Sequence, residues 1–178
     1  AARLRRRNAR AIEHVVRQSA LIHLHHIASH GDPFEFGSAR PLDFGHWCAH
    51  KLEVISGYEI GHGQAVAIGI ALDSYYAWRR GLIRQRDLQA ILTAMETTGL
   101  PTYSTLLERQ SPNGTPVILR GMQEFQEHLG GELTITLPRG IGARVEVHEM
   151  DAAILRDGVR FLRDRHREAT DPGLRGGA

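Results

Sequence analysis

A single cysteine, Cys48, stands in a chain of 178 residues, so no disulfide can form within it. Lysine is as scarce, with Lys51 alone against twenty-one arginines. No run of eighteen apolar residues occurs, nor the charged, apolar and small-residue succession of a secretory leader. Neither membrane spanning nor secretion is therefore expected, and the cytoplasm is the expected location. No glycine-rich strand-to-helix turn opens the chain, so the fingerprint of a dinucleotide-binding fold is missing. The formal charge of +2 is too small to call for a nucleic-acid partner. Arg3, Arg5, Arg6, Arg7 and Arg10 make the first turns basic, and we read them as a solvated helix face. A hydrophobic content of 42% over this length is ample for one globular core.

Histidine is abundant by contrast, with eleven residues. Three of them stand out. In Asp43-Phe44-Gly45-His46-Trp47-Cys48-Ala49-His50-Lys51-Leu52-Glu53, a helical step of about 100° per residue puts His50 one turn and Glu53 two turns beyond His46, on one stripe. Sixteen residues after His46 comes Gly61-His62-Gly63, where a second helix can present His62. Two neutral imidazoles from neighbouring helices suit Zn²⁺, with a third protein ligand still owed. Histidines four apart also arise by chance on amphipathic helices, so the spacing alone leaves metal binding and coincidence both open. Cys48 lies about 200° around the helix from His46 and is expected to pack as a small buried hydrophobe rather than ligate.

The residues between the histidines narrow the choice. Leu42-Asp43-Phe44-Gly45-His46 through His50 and Glu53, followed by His62-Gly63-Gln64-Ala65-Val66-Ala67-Ile68-Gly69, resembles the signature of the 3-dehydroquinate synthase family of sugar-phosphate cyclases, including the interval between its two metal histidines. The resemblance runs from about residue 12 to about residue 147, over the C-terminal helical, metal-binding domain of that family. It implies zinc, or another divalent cation, on His46 and His62, and a proton-moving role for His50. It implies substrate contacts from Asp43 and Arg40, from His23 near the end of the first helix, or His25 if a two-residue insertion is allowed, and from His128 in Glu124-Phe125-Gln126-Glu127-His128. Asp43 stands where 3-dehydroquinate synthases carry an asparagine, and Ala39 replaces an arginine, with Arg40 beside it. Asp43 and the segment 124–137 resemble the branch that cyclises sedoheptulose 7-phosphate, the 2-epi-5-epi-valiolone synthases. With one lysine, two lysines of the usual substrate pocket cannot be present; a histidine in such a place is shorter and only partly charged near neutrality.

In that family the N-terminal half binds NAD and supplies a glutamate as third zinc ligand. The chain is expected to lack this half, so NAD is expected only through a companion or upstream segment, and the isolated chain is expected to be inactive. The implied activity is that of a carbon-oxygen lyase: NAD-assisted elimination of phosphate from a heptulose phosphate and closure of a carbocycle. The alternative, from another class, is a non-catalytic helical interaction module derived from such an enzyme. Loss of the covering domain would leave apolar surface near the first two helices, so self-association or a companion chain is expected.

The expected fold is mainly α, a multi-helix domain over residues 1–168 with a small β-hairpin near 132–148 and a disordered tail over 169–178. A first helix over 8–28 carries Ile12, Val15, Val16, Leu21, Ile22 and Ile27 at spacings of three and four. Turn chemistry fills 29–42. Asp43 is placed to cap the next helix and Gly57 to end it. A dense apolar run follows Gly61 to Arg80, with Gly63 and Gly69 permitting close helix approach. Further helices are expected over 84–98, 101–108 and 117–128, and after an Asp151 cap. Alternation in Leu133-Thr134-Ile135-Thr136-Leu137 and Val145-Glu146-Val147 predicts the hairpin.

Overall fold

The computed structural model describes residues 1–30, 41–128 and 133–171, with the side chains of residues 29, 30, 41 and 128 outside that description. Its helices are α1 (Ala2–Arg5), α2 (Ala9–His30), α3 (His46–Ile55), α4 (His62–Arg79), α5 (Gln85–Thr98), α6 (Val117–His128) and α7 (Ala152–Thr170). Short 3-10 turns lie at Pro41–Asp43 and Thr105–Glu108, and the strands are β1 (Ile135–Pro138) and β2 (Arg144–Val147).

The apolar density of α4 decides the architecture. Ala65, Ala67, Ile68, Ala71, Leu72, Tyr75, Tyr76 and Ala77 are all buried, so this helix is covered on most sides, as its composition predicts. Trp47 and Leu52 of α3, Leu88 and Leu92 of α5, Ile135 and Leu137 of β1, and Leu155 and Leu162 of α7 complete a single cluster around it. Each large side chain so buried contributes about 1.5–3 kcal/mol.

Local signals place the boundaries. Asp151 Oδ1 accepts the Ala153 N–H at 2.7 Å and caps α7, while Gly99 ends α5 in the left-handed conformation that costs glycine nothing. The hairpin is antiparallel with Ile135 opposite Val147 and Pro138 opposite Arg144. Among the described residues, no helix is long and apolar enough to cross a membrane.

Four expectations need correction. Asp43 does not cap α3: it ends the 3-10 turn Pro41–Asp43, and the N-cap position belongs to Gly45, left-handed at φ 83°. Gly69 does mediate a close approach, but a side chain at Gly63 would meet nothing within 4 Å, because Gly63 lies on the open first turn of α4. α2 continues to His30, past the predicted end of the first helix, and α7 runs to Thr170, two residues into the segment expected as a tail. In agreement with the apolar surface expected near the first two helices, the apolar residues of α2 lie outside the core, Val16 being 62% and Ile22 70% exposed. Periodicity reveals an apolar stripe without revealing what covers it.

Candidate metal centre

α3 and α4 lie side by side in opposite directions, with Gly45 against Asp73 at one end of the pair and Glu53 against His62 at the other. The contact is closer than ordinary side chains allow. A Cβ added at Gly69 would stand 2.0 Å from the Gly45 carbonyl oxygen, and one added at Gly45 would stand 2.6 Å from the Ile70 nitrogen. Two glycines therefore let one backbone rest on the other, fixing how α3 sits along α4.

That register brings three imidazoles together. The rings of His46 and His62 are 5.3 Å apart, those of His46 and His50 5.8 Å, and those of His50 and His62 6.3 Å, with Phe125 of α6 packed 6.2 Å from His50. Two imidazoles on one tetrahedral Zn²⁺, with Zn–N bonds near 2.0–2.1 Å, have ring centres about 5 Å apart. The His46 and His62 separation fits this spacing. His46 Nδ1 is buried and finds no hydrogen-bond partner, an atom that a cation could satisfy. His62 Nδ1 lies 3.1 Å from Glu53 Oε1. A carboxylate only accepts, so the pair fixes the proton on Nδ1 and leaves the Nε2 lone pair for a ligand, the arrangement that carboxylate partners impose on metal histidines. The donor set thus fits two positions of a divalent ion. Among the described residues, no group of three or more histidine, cysteine or acidic side chains is placed to hold a metal.

The other predicted site residues divide. His50 lies on the exposed side of the cluster, and Asp43 is half-buried just before α3. His23 lies on the exposed α2, and its ring is not among those packed on His46. Arg40 and the side chain of His128 fall outside the described residues. Cys48 is fully buried, and burial pushes its thiol well above the ordinary range, which removes the thiolate that ligation would need.

A groove of about 270 Å³ opens beside His50, lined by Trp47, Lys51, Val54, Gly121, Glu124 and Phe125. Lys51 does not offer its charge to this groove. Its Nζ donates to both oxygens of Glu124, at 2.6 and 2.8 Å, from a side chain only 10% exposed.

Sequence reasoning missed Asp73. Fully buried in α4, it accepts the Gly45 N–H at 3.0 Å on Oδ2 and the Trp47 indole N–H at 2.8 Å on Oδ1. Desolvation pushes its carboxyl up to about 7, against the downward pull of those two bonds. The available signal was one acid inside the run from Ala65 to Ala77, where every other residue is apolar or small.

Residues 1–120 match the family model described as 3-dehydroquinate synthase C-terminal. The chain is 33% identical to a 3-dehydroquinate synthase of Xanthomonas campestris over 130 residues, covering 68% of this chain and 33% of that protein. It is 32% identical to a 2-epi-5-epi-valiolone synthase of an Actinoplanes species over 133 residues, covering 74% of this chain and 31% of the relative. The chain therefore spans about a third of the length of these relatives. Among solved structures it resembles ValA, a 2-epi-5-epi-valiolone synthase of Streptomyces hygroscopicus subsp. jinggangensis with NAD⁺ and Zn²⁺ bound. The TM-score is 0.73 at 28% identity, covering 89% of this chain and 42% of that one.

Proposed function

Given that this chain belongs to the 3-dehydroquinate synthase C-terminal family, we propose that it is the metal-binding half of a sugar-phosphate cyclase, with His46 and His62 as ligands of a divalent ion, zinc in the first instance. The observation that carries this reading is the pairing of two imidazoles 5.3 Å apart from two rigidly packed helices, one with a buried, unpartnered Nδ1 and the other set by Glu53. A divalent ion held there supplies Lewis-acid stabilisation of negative charge on substrate oxygens.

The chain's own residues do the rest. His50, on the exposed side of the cluster and beside the groove, takes and returns a proton at the reacting carbon or its neighbouring oxygen. Asp43 faces substrate hydroxyls as an acceptor, where an asparagine amide could also donate. Because Glu124 neutralises Lys51, substrate phosphate is met by arginine and histidine, with Arg40, His23 and His128 the candidates. NAD and the third metal ligand come with the nucleotide-binding segment that makes up the remainder of such enzymes. Zn²⁺ and NAD⁺ in ValA support this assignment of cofactors.

Metal analysis of the purified chain beside a His46→Ala, His62→Ala variant tests the site without a choice of substrate. About one divalent ion per wild-type chain, lost in the variant, is the expected result; equal metal content in both refutes it. A second reading, a non-catalytic interaction module, draws on the exposed apolar residues of α2. Supplying a nucleotide-binding half separates the two: zinc- and NAD-dependent phosphate release from a heptulose phosphate supports the cyclase, and its failure supports the module.

A further inference from the structure

His46 differs from His62 in how its ring is held. His62 has a carboxylate on its Nδ1, the usual device by which a metal histidine is oriented. The buried Nδ1 of His46, the atom left for a cation, has no protein partner, and the contacts that bear on the ring's position are those of the backbone that carries it. That backbone is the first turn of α3, where the N-cap Gly45 has no side chain to satisfy the helix's leading N–H groups.

Asp73 reaches this turn from the middle of α4. Its two oxygens are divided between Gly45 and Trp47, the residues immediately before and after His46. Each bond runs between elements more than twenty-five residues apart in sequence and is buried on both sides. Two N–H donors aimed at two different oxygens are matched by a carboxyl group, whose oxygens can each accept one of them. A carboxamide accepts at one and must turn an N–H against a donor at the other.

We propose that Asp73 is a positioning residue for His46, gripping the chain on either side of it and so setting where the imidazole stands relative to His62. The consequence for metal affinity rests on the reading of His46 and His62 as ligands; the consequence for ring position does not.

The test uses the full chain in three forms: wild type, Asp73→Asn, and Trp47→Phe, which removes one of the two bonds and keeps the carboxylate. Titration with Co²⁺ alone, followed by its visible absorption, reads affinity and ligand geometry. Side-chain nuclear magnetic resonance of the metal-free protein reads the His46 ring, with His148, tied to the Leu133 carbonyl on the hairpin, as internal control. The expected result for Asp73→Asn is an unchanged far-ultraviolet circular dichroism spectrum, Co²⁺ affinity lower by about 10–100-fold, an altered Co²⁺ spectrum, and His46 resonances that move while His148 stays. Trp47→Phe should shift affinity and His46 in the same direction by less. Wild-type affinity, Co²⁺ spectrum and His46 resonances in Asp73→Asn overturn the proposal. If that variant does not fold, the same result in Trp47→Phe overturns it. A wild-type chain that binds no Co²⁺ removes the metal reading instead, and the positioning role then stands or falls on the His46 resonances alone.

Discussion

Replacing Asp73 with asparagine should change how stability responds to pH, in a direction the structure fixes. Burial raises the carboxyl from 3.8 to about 7, so between these values the folded chain keeps a proton that the unfolded chain has released. Unfolding stability falls with rising pH wherever the folded state binds more protons. The contribution of Asp73 is therefore fully present below about pH 4 and is lost as pH rises through about 7. A shift of about three units, at 1.36 kcal/mol each, gives a loss of ~4 kcal/mol across the window, with no discount for solvent screening because the side chain is wholly buried. That is a large share of the 5–15 kcal/mol that holds a typical domain together. With a urea slope of about 2 kcal/mol per molar, the unfolding midpoint of the wild type should drop by about 2 M relative to the variant between pH 4.5 and 8. Asparagine does not titrate, so the difference between the two proteins cancels the other carboxylates and histidines. Urea unfolding at several pH values, followed by circular dichroism, measures it. Midpoints that run parallel over the whole range, or a wild type that gains on the variant as pH rises, would refute the assignment of desolvation as the dominant cause.

Three further outcomes follow from named contacts. Glu53→Gln should weaken divalent-metal binding by about 10–100-fold in a competition titration while leaving thermal stability within about 0.5 kcal/mol, because the residue's partner is the half-exposed His62. Gly69→Ala should destabilise the fold by about 3 kcal/mol or more and remove metal binding with it, since its Cβ would fall 2.0 Å from the Gly45 carbonyl oxygen; an alanine variant with a wild-type melting temperature contradicts the close approach. The Lys51 and Glu124 pair should respond asymmetrically in chemical denaturation: Glu124→Ala strands a cation in a buried site and should cost about 2 kcal/mol or more, whereas Lys51→Met leaves an acid that is 56% exposed and should be near neutral.

Much of this arrangement is legible in the residue order, and the reasons it stops are physical. Asp151, Gly99 and the turn Pro138-Arg139-Gly140-Ile141-Gly142 act within a few residues of themselves, so the cap, the helix end and the hairpin lie where their chemistry places them. The continuous apolar face of α4 forecast a helix buried on most sides. Asp43 misled because aspartate is a good cap in isolation, yet the left-handed Gly45 starts the helix two residues later, and its N–H is met by Asp73 from α4 instead. Asp73 was hidden for the complementary reason. Its partners Gly45 and Trp47 lie 28 and 26 residues away, and only packing brings them to it. The stripe on α2 was visible as a pattern, but a pattern of three and four does not distinguish a face turned to this core from one turned elsewhere.

The candidate centre is therefore rigid on one side and open on the other. Toward the core, Gly45 against Gly69 and the two bonds to Asp73 hold the first turn of α3 to α4, and His46 takes its place from them. Toward solvent stand His50 and His62, the latter 55% exposed, and the groove that Phe125 helps to line. A metal site that acts on substrate needs both qualities: ligands fixed by packing, and a face from which further ligands and substrate can approach. α3 and α4 bring three imidazoles together, yet among the described residues no three histidine, cysteine or acidic side chains are placed to hold one metal ion. On the proposed reading, further ligands and substrate approach from this open face.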